Sequence, residues 1–223
     1  PITASKSSEP LVLILHTHTT ESYVDENTHS YVPANAVAET RSRSNSENVI
    51  AVGEVMKAVL DSMGIPTLHC TDYHDIYVFN ESYDHSYQSV KSYLEMYPSI
   101  RYVIDLHRDS VIRTNGDKVC PVTEIDGEKA AQVMLVVGTD SSGLPHSKWE
   151  KNFTLALKLQ KRMVDAYGTL ARPVNLRAGR FNQQLCEGML LLEVGSCGNT
   201  LSQAKYCARL VAYQLGKLIN ENL

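Results

Sequence analysis

The chain has 223 residues, 43% hydrophobic and 21% charged, which is enough apolar material for one core and carries no compositional mark of disorder. Its net charge of -4 excludes a surface built for polyanions, which reward clustered Lys and Arg, so nucleic acid is not an expected partner. No apolar run approaches the ~20 residues of a membrane-spanning helix and no signal-peptide pattern is present. The five cysteines, Cys70, Cys120, Cys186, Cys197 and Cys207, form no C-x-x-C pair. That excludes a disulfide framework and a cysteine-based zinc knuckle, and predicts mostly buried, inert thiols.

Residues 1–10 read as a flexible lead-in. Leu11 to Leu15 then form an apolar strand that stops at His16-Thr-His18-Thr-Thr-Glu21-Ser22, delivering two imidazoles and a carboxylate to its carboxyl end. Residues 22–45 are polar and predict a long loop over the active face. Helical spacing of Val49, Val52, Val55, Met56 and Val59 predicts a helix over 47–62, ended by Gly64, and Ile65 to His69 reads as a strand. A polar loop over 71–85, rich in Tyr and His, leads into a helix at 86–97 that Pro98 terminates. Arg101 to His107 is the next strand. Val111 to Glu128 reads as a hairpin turning at Asn115-Gly116, and Gln132 to Gly138 as a further strand. Trp149 to Tyr167 carries the helical stripe Trp149, Phe153, Leu157 and Val164; Met189 to Glu193 reads as a strand, and residues 200–219 as the last helix. The repeated β-then-α order predicts an α/β fold with a mostly parallel central sheet covered by helices on both faces, residues 1–223 making one catalytic domain.

Parallel strands present their carboxyl ends along one edge of the sheet, where α/β proteins place their chemistry. His18, His107 and Glu193 all follow apolar strand cores, so three groups distant in sequence are expected to converge. A carboxylate that ends the run Leu190-Leu-Leu-Glu193 is costly unless it is paired or bound to metal. His18 and Glu21 stand in H-x-x-E spacing, close enough for one turn to aim both at a single zinc ion, with His107 as a further ligand. Glu193 is then the expected general base. Glu47, just before the first long helix, competes with Glu21 as the third ligand. Glu21 is preferred because a near-neighbour pair costs less ordering entropy to assemble. Arg108, beside His107, suits an oxyanion or a carboxylate, and Asp105 could orient a ligand imidazole. His69, His74, His85 and His146 read as ordinary loop or strand-end histidines, and the tyrosines of 73–97 as packing groups.

Five segments, His18-Thr-Thr-Glu21-Ser22-Tyr23, Asn48-Val-Ile-Ala-Val-Gly53, Asp105-Leu-His107-Arg108-Asp109-Ser110, Gly179-Arg-Phe-Asn-Gln183 and Leu192-Glu193-Val-Gly-Ser196, together resemble the stage II sporulation protein P family over essentially the whole chain. The resemblance implies a peptidoglycan hydrolase related in fold to zinc-dependent N-acetylmuramoyl-L-alanine amidases, with endopeptidase action on cross-links. The layout is also similar to zinc carboxypeptidases. The resemblance implies one zinc ion and peptidoglycan as substrate, with Asn48, Arg180 and Gln183 contacting sugar or peptide. It further implies stage II sporulation proteins D and M as partners, and a membrane-anchored protein between mother-cell and forespore membranes during engulfment. The chain begins at Pro1 and is accordingly read as a soluble fragment.

Two other readings compete. His16-x-His18 could be the metal pair of a phosphoesterase or amidohydrolase, since alternation puts both on one strand face. A non-catalytic wall-binding domain would keep the fold without the chemistry, and predicts a missing ligand or base.

Overall fold

The computed structural model describes residues 9–26, 40–76 and 78–222. Most of the expected lead-in, and residues 27–39 of the loop expected over 22–45, lie outside these. Strands β1 (Val12–Leu15), β2 (Thr67–His69), β3 (Tyr102–Asp109), β6 (Val133–Gly138), β7 (Asn175–Arg177) and β8 (Gly188–Ser196) form one sheet in the order β2-β1-β3-β8-β6-β7. The four strands β2, β1, β3 and β8 are mutually parallel, whereas β6 runs antiparallel to β8. The sheet is therefore mostly parallel. A separate hairpin pairs β4 (Val122–Ile125) with β5 (Glu128–Ala131).

Alternation along each strand sorts its side chains to two faces. One set, Val12, Ile14, Ile104, Leu106, Leu190, Leu192 and Leu135, packs against α1 (Val49–Ser62), α3 (Trp149–Tyr167) and α4 (Leu201–Asn220). The other, Leu13, Leu15, Val103 and Met189, packs with Val90 of α2 (Ser82–Met96). Helices thus cover both faces, three on one and one on the other. Asn48 caps α1 by accepting from the Ile50 amide, and Thr200 with Gln203 makes a capping box for α4. Among the described residues, no helix is long and apolar enough to cross a membrane.

Two hairpins occupy the stretch between β3 and β6, where one was expected. A turn near Gly116 closes the isolated bridge between Ile112 and Lys118, and a second turn at Asp126-Gly127, both in the left-handed region, joins β4 to β5. Cys70, Cys197 and Cys207 are buried, as expected of inert thiols, whereas Cys120 is exposed. Burial pushes the Cys70 thiol up to about 11.

Candidate active site

The carboxyl ends of β1, β3 and β8 meet on the α2 side of the sheet. His107 and Glu193 are register partners on the neighbouring strands β3 and β8, and a bulge follows immediately, before Asp109 pairs with Ser196. Asp105, two residues earlier, points to the same face. It is fully buried and is gripped by Thr17, whose amide donates to Oδ1 at 2.9 Å and whose hydroxyl donates to Oδ2 at 2.7 Å. Its Oδ1 lies 3.0 Å from His107 Nε2, but off the direction of a hydrogen bond, so that nitrogen is buried without a partner.

Beyond β1 the chain turns through His18, and the Glu21 amide closes the turn by donating to the His18 carbonyl at 3.0 Å. The His18 ring stacks on Phe79 at 4.5 Å and stands edge-on to His107, with centroids 5.3 Å apart. Its Nδ1 has no hydrogen-bond partner. Glu21 is buried, accepts from the Arg108 amide at 3.1 Å, and brings Oε2 to 3.4 Å from His107 Nδ1. Glu193 is half-buried, with Oε2 out of solvent and unpartnered.

The electrostatics separate these carboxylates. Burial alone would raise both. For Glu21 the positive Arg108 and His107 more than offset it and hold the acid down to about 2. For Glu193 burial dominates, with Glu21 and Asp109 adding repulsion against the pull of His107 and Arg108, and the acid is pushed up to about 8. Two nearby carboxyls driven in opposite directions divide naturally into a permanent anion and a proton carrier. Burial pushes His18 down, which keeps it neutral. His107 is raised well above 6.5, because Asp105 and Glu21 together outweigh its burial.

Several residues expected at the site have buried partners of their own. Arg108 is 3% exposed, and its guanidinium donates to the carbonyls of Ser22 at 2.9 Å and Thr40 at 2.8 Å, so it braces the Glu21 segment. Asn48 is fully buried and spends its amide on the α1 cap, the Ser42 carbonyl and the Tyr73 hydroxyl. Gln183 is also fully buried, accepting from the Gly138 amide and donating to the Val136 carbonyl, both at 2.8 Å. Both are frame residues. Arg180 rests on the Pro145 carbonyl at 3.3 Å. Glu47 is exposed and accepts from Ser42, apart from the cluster that Glu21 joins.

His16 faces the other side of the sheet. Its Nδ1 donates to the Leu106 carbonyl at 2.8 Å and its Nε2 meets His69 Nε2 at 2.8 Å, above Gly53 of α1. With both nitrogens engaged it shares no ion with His18 in this arrangement. His69, read as ordinary, carries this chain from the buried His16 out to the exposed Glu54, which it meets at 2.8 Å.

Sequence reasoning also passed over Tyr83, in the first turn of α2. Its ring is edge-on to His18 at 5.7 Å and stacked with His107 at 6.5 Å. Its hydroxyl, raised by burial above the usual tyrosine range, feels the charges of His107, Asp105, Glu193 and Glu21. Phe181, left-handed at φ 50° and followed by Asn182 at φ 58°, packs on Tyr83 at 5.8 Å. Asn182 ties that loop to α2 by donating to the Tyr83 carbonyl and Ser86 hydroxyl. Two adjacent non-glycine residues in this region cost roughly 1–2 kcal/mol each, strain of the kind found beside functional sites. The signal for Tyr83 was available: in a parallel α/β fold the start of a helix lies at the carboxyl edge of the sheet.

The donor chemistry fits a divalent cation. Two imidazoles and a low-pKa carboxylate lie side by side, and two ring nitrogens, His18 Nδ1 and His107 Nε2, are buried without partners. Among the described residues, however, no three His, Cys, Asp or Glu groups are spaced to hold an ion without movement. Asp105 and Glu21 hold His107 well above the usual imidazole range, so a cation that used its ring would compete with protonation.

Comparison with known proteins agrees with the fold. The family model for stage II sporulation protein P (SpoIIP) matches residues 3–216. Stage II sporulation protein P of Bacillus subtilis (strain 168) is 31% identical over 223 residues, covering 95% of this chain and 52% of its own. The chain spans about half the length of that curated relative. Among solved structures, the CwlD amidase of Clostridioides difficile, determined in complex with the GerS lipoprotein, superposes with a TM-score of 0.59 at 10% identity, covering 95% of this chain and 99% of its own. A metallo-carboxypeptidase from Burkholderia cenocepacia gives 0.51 at 10% identity, covering 100% of this chain and 60% of its own. These structures share the fold. By the family match and the B. subtilis relative, the chain belongs to the stage II sporulation protein P family.

Proposed function

We propose that the chain is a zinc-dependent peptidoglycan hydrolase: an N-acetylmuramoyl-L-alanine amidase that removes stem peptides from glycan strands, with endopeptidase action on peptide cross-links. The observation that carries this reading is the pairing of His107 with Glu193 in register across β3 and β8, beside a second carboxylate, Glu21, whose affinity for protons is driven the opposite way. A family of sporulation proteins and an amidase-like fold supply the substrate class.

His18, Glu21 and His107 would hold the ion, which when bound supplies an acidified water and polarises the scissile carbonyl. Glu193 takes a proton from the attacking water and returns it to the departing amine, as suits a carboxyl whose affinity lies near working pH. Arg108 and Thr17 hold the two carboxylates that flank His107. With Arg108 committed to carbonyls, Tyr83 is the neutral donor placed to hydrogen-bond the oxygen on which charge develops.

Family membership supports the setting we propose for the full-length protein: membrane-anchored, between mother-cell and forespore membranes during engulfment, acting with stage II sporulation proteins D and M. The test is digestion of purified sacculi, with fragments identified by mass spectrometry, for the unmodified protein, Glu193→Gln and chelator-treated protein. Glycan strands freed of stem peptides are expected only from the metal-loaded, unmodified chain. A wall-binding domain without chemistry would release nothing. Unchanged release by Glu193→Gln would overturn the base assignment.

A further inference from the structure

Next to the candidate active site is a cavity of about 270 Å³ lined by Thr20, Arg41, Ser42, Arg43, Asp75 and Ile76. Its arginines differ in how they are held. Arg41 is fixed: its Nη1 donates to Asp75 Oδ2 and to the Thr20 hydroxyl, both at 2.9 Å, and its guanidinium lies 4.6 Å over the Phe79 ring. Asp75 has no side-chain exposure and also receives the Thr20 amide and hydroxyl, so Arg41 is pinned from below. Arg43 is exposed and makes no ion pair among the described residues. Asp75 neutralises Arg41, so the net positive charge of the cavity is that of Arg43.

The position of the cavity gives this charge a use. Phe79 touches both His18 and Arg41, its ring stacked on the imidazole at 4.5 Å and its centroid 4.6 Å from the guanidinium carbon. Phe79 and its neighbour Val78 are about half exposed, 49% and 45%, which makes an apolar rail from the catalytic edge to the arginines. A chain lying along that rail advances ~3.5 Å per residue, so a carboxylate two or three residues beyond the cleaved carbonyl spans the stacked layers. Peptidoglycan stem peptides carry free carboxylates in that range, on the γ-linked glutamate at the second position and on the residue after it. Guanidinium forks match carboxylates in geometry as well as charge.

We propose that Arg41 and Arg43 form a carboxylate subsite, one stacked aromatic layer from His18, that selects stem peptides bearing a free acid over their amidated forms. The inference rests on the hydrolase reading for its substrate but not for its test. Binding is measured by calorimetry to the Glu193→Gln protein, with and without Arg43→Gln, using three muramyl tripeptides: both acids free, the second-position carboxylate amidated, and the third-position carboxylate amidated.

With Arg43 present, amidation of one of the two positions is expected to weaken binding about tenfold, and the position that responds identifies the bound carboxylate. Arg43→Gln should remove that difference, and Arg43→Lys should restore part of it. The exposed arginine is the informative one, because replacing Arg41 would strip a buried aspartate of its partner. Equal binding of all three peptides, or a loss on Arg43→Gln that is the same for each, overturns the subsite. Discrimination in binding by a protein that releases nothing from sacculi upholds the subsite and overturns the hydrolase reading. Hydrolysis without discrimination does the reverse.

Discussion

Gly53→Ala tests the buried packing behind the site, because here the usual effect of the substitution should be reversed. In the middle of α1, exchanging glycine for alanine ordinarily stabilises a helix by ~1 kcal/mol. At this position the new Cβ would stand 2.6 Å from His69 Nε2, 2.8 Å from His69 Cε1 and 3.0 Å from His16 Cε1. The His69 ring has little freedom to retreat, since its side chain is 2% exposed and tied at 2.8 Å to both His16 and Glu54. Moving it loosens two hydrogen bonds, worth ~1 kcal/mol each, and overpacking adds ~1–3 kcal/mol. Set against the helical gain, a net loss of about 3 kcal/mol is expected, a urea midpoint lower by about 1.5 M at a slope of ~2 kcal/mol per M. Equilibrium urea unfolding of metal-free protein measures it. His69→Ala empties the space, so Gly53→Ala in that background should be neutral or stabilising. A Gly53→Ala protein as stable as the unmodified chain would show that the two imidazoles are not packed against α1 as described.

Two further substitutions address individual roles. Tyr83→Phe should lower kcat on wall fragments by about 10²-fold while leaving KM nearly unchanged, if its hydroxyl serves the transition state; a loss confined to KM would assign it to substrate binding instead. Asn48→Ala should cost about 2 kcal/mol by uncapping α1 and stranding the Ser42 carbonyl, with activity per folded molecule retained; an active-site titration showing lost turnover in folded protein would return Asn48 to the substrate-contacting role expected from sequence.

The parts of the fold legible in the sequence were those where period and polarity change together. The run ending at Glu193 stops being apolar where β8 reaches the site edge, and α3 spans Trp149–Tyr167 as expected, although its buried face is Asn152, Ala156, Leu159 and Met163 while Leu157 and Val164 of the expected stripe are exposed. The direction of β6 was not legible, because a buried strand reads as the same apolar run whether it lies parallel or antiparallel to its neighbour. β7 has three residues, two of them exposed, and offers no pattern. The burial of polar side chains was not legible: Arg108 and Gln183 answer backbone groups far away in sequence, which spacing does not encode, and Asn48 is held by its own α1 cap and the nearby Ser42 carbonyl. His16 misleads for a related reason. Alternation holds only within a strand, and β1 ends at Leu15, so His16 turns toward α1 and His18 toward α2.

That division of the histidines, together with the raised Glu193, predicts opposing pH dependences in metal-free protein. Burial lowers His16 from 6.5 to about 3, so between those values the unfolded chain binds more protons and stability falls as the pH drops below 6.5. His18 and His69, also lowered by burial, act in the same direction. Glu193 works the other way: its folded value is raised from 4.5 to about 8, so the folded state binds more protons in that window and stability falls as the pH rises through it. His107, whose folded value is raised, adds to this side as the pH passes 6.5. Each fully displaced group contributes about 1.4 kcal/mol per pH unit, so between pH 5 and 6.5 Glu193 offsets about one lowered histidine and the others leave stability falling on acidification. Removing one group should expose the other. Glu193→Gln is expected to make stability fall more steeply on acidification than in the unmodified chain, and His16→Gln to make it fall less or rise. Unfolding free energies at several pH values in chelator measure both. If Glu193→Gln leaves the pH slope unchanged, Glu193 ionises as an ordinary carboxylate, and the argument that it carries the proton while Glu21 stays charged loses its footing.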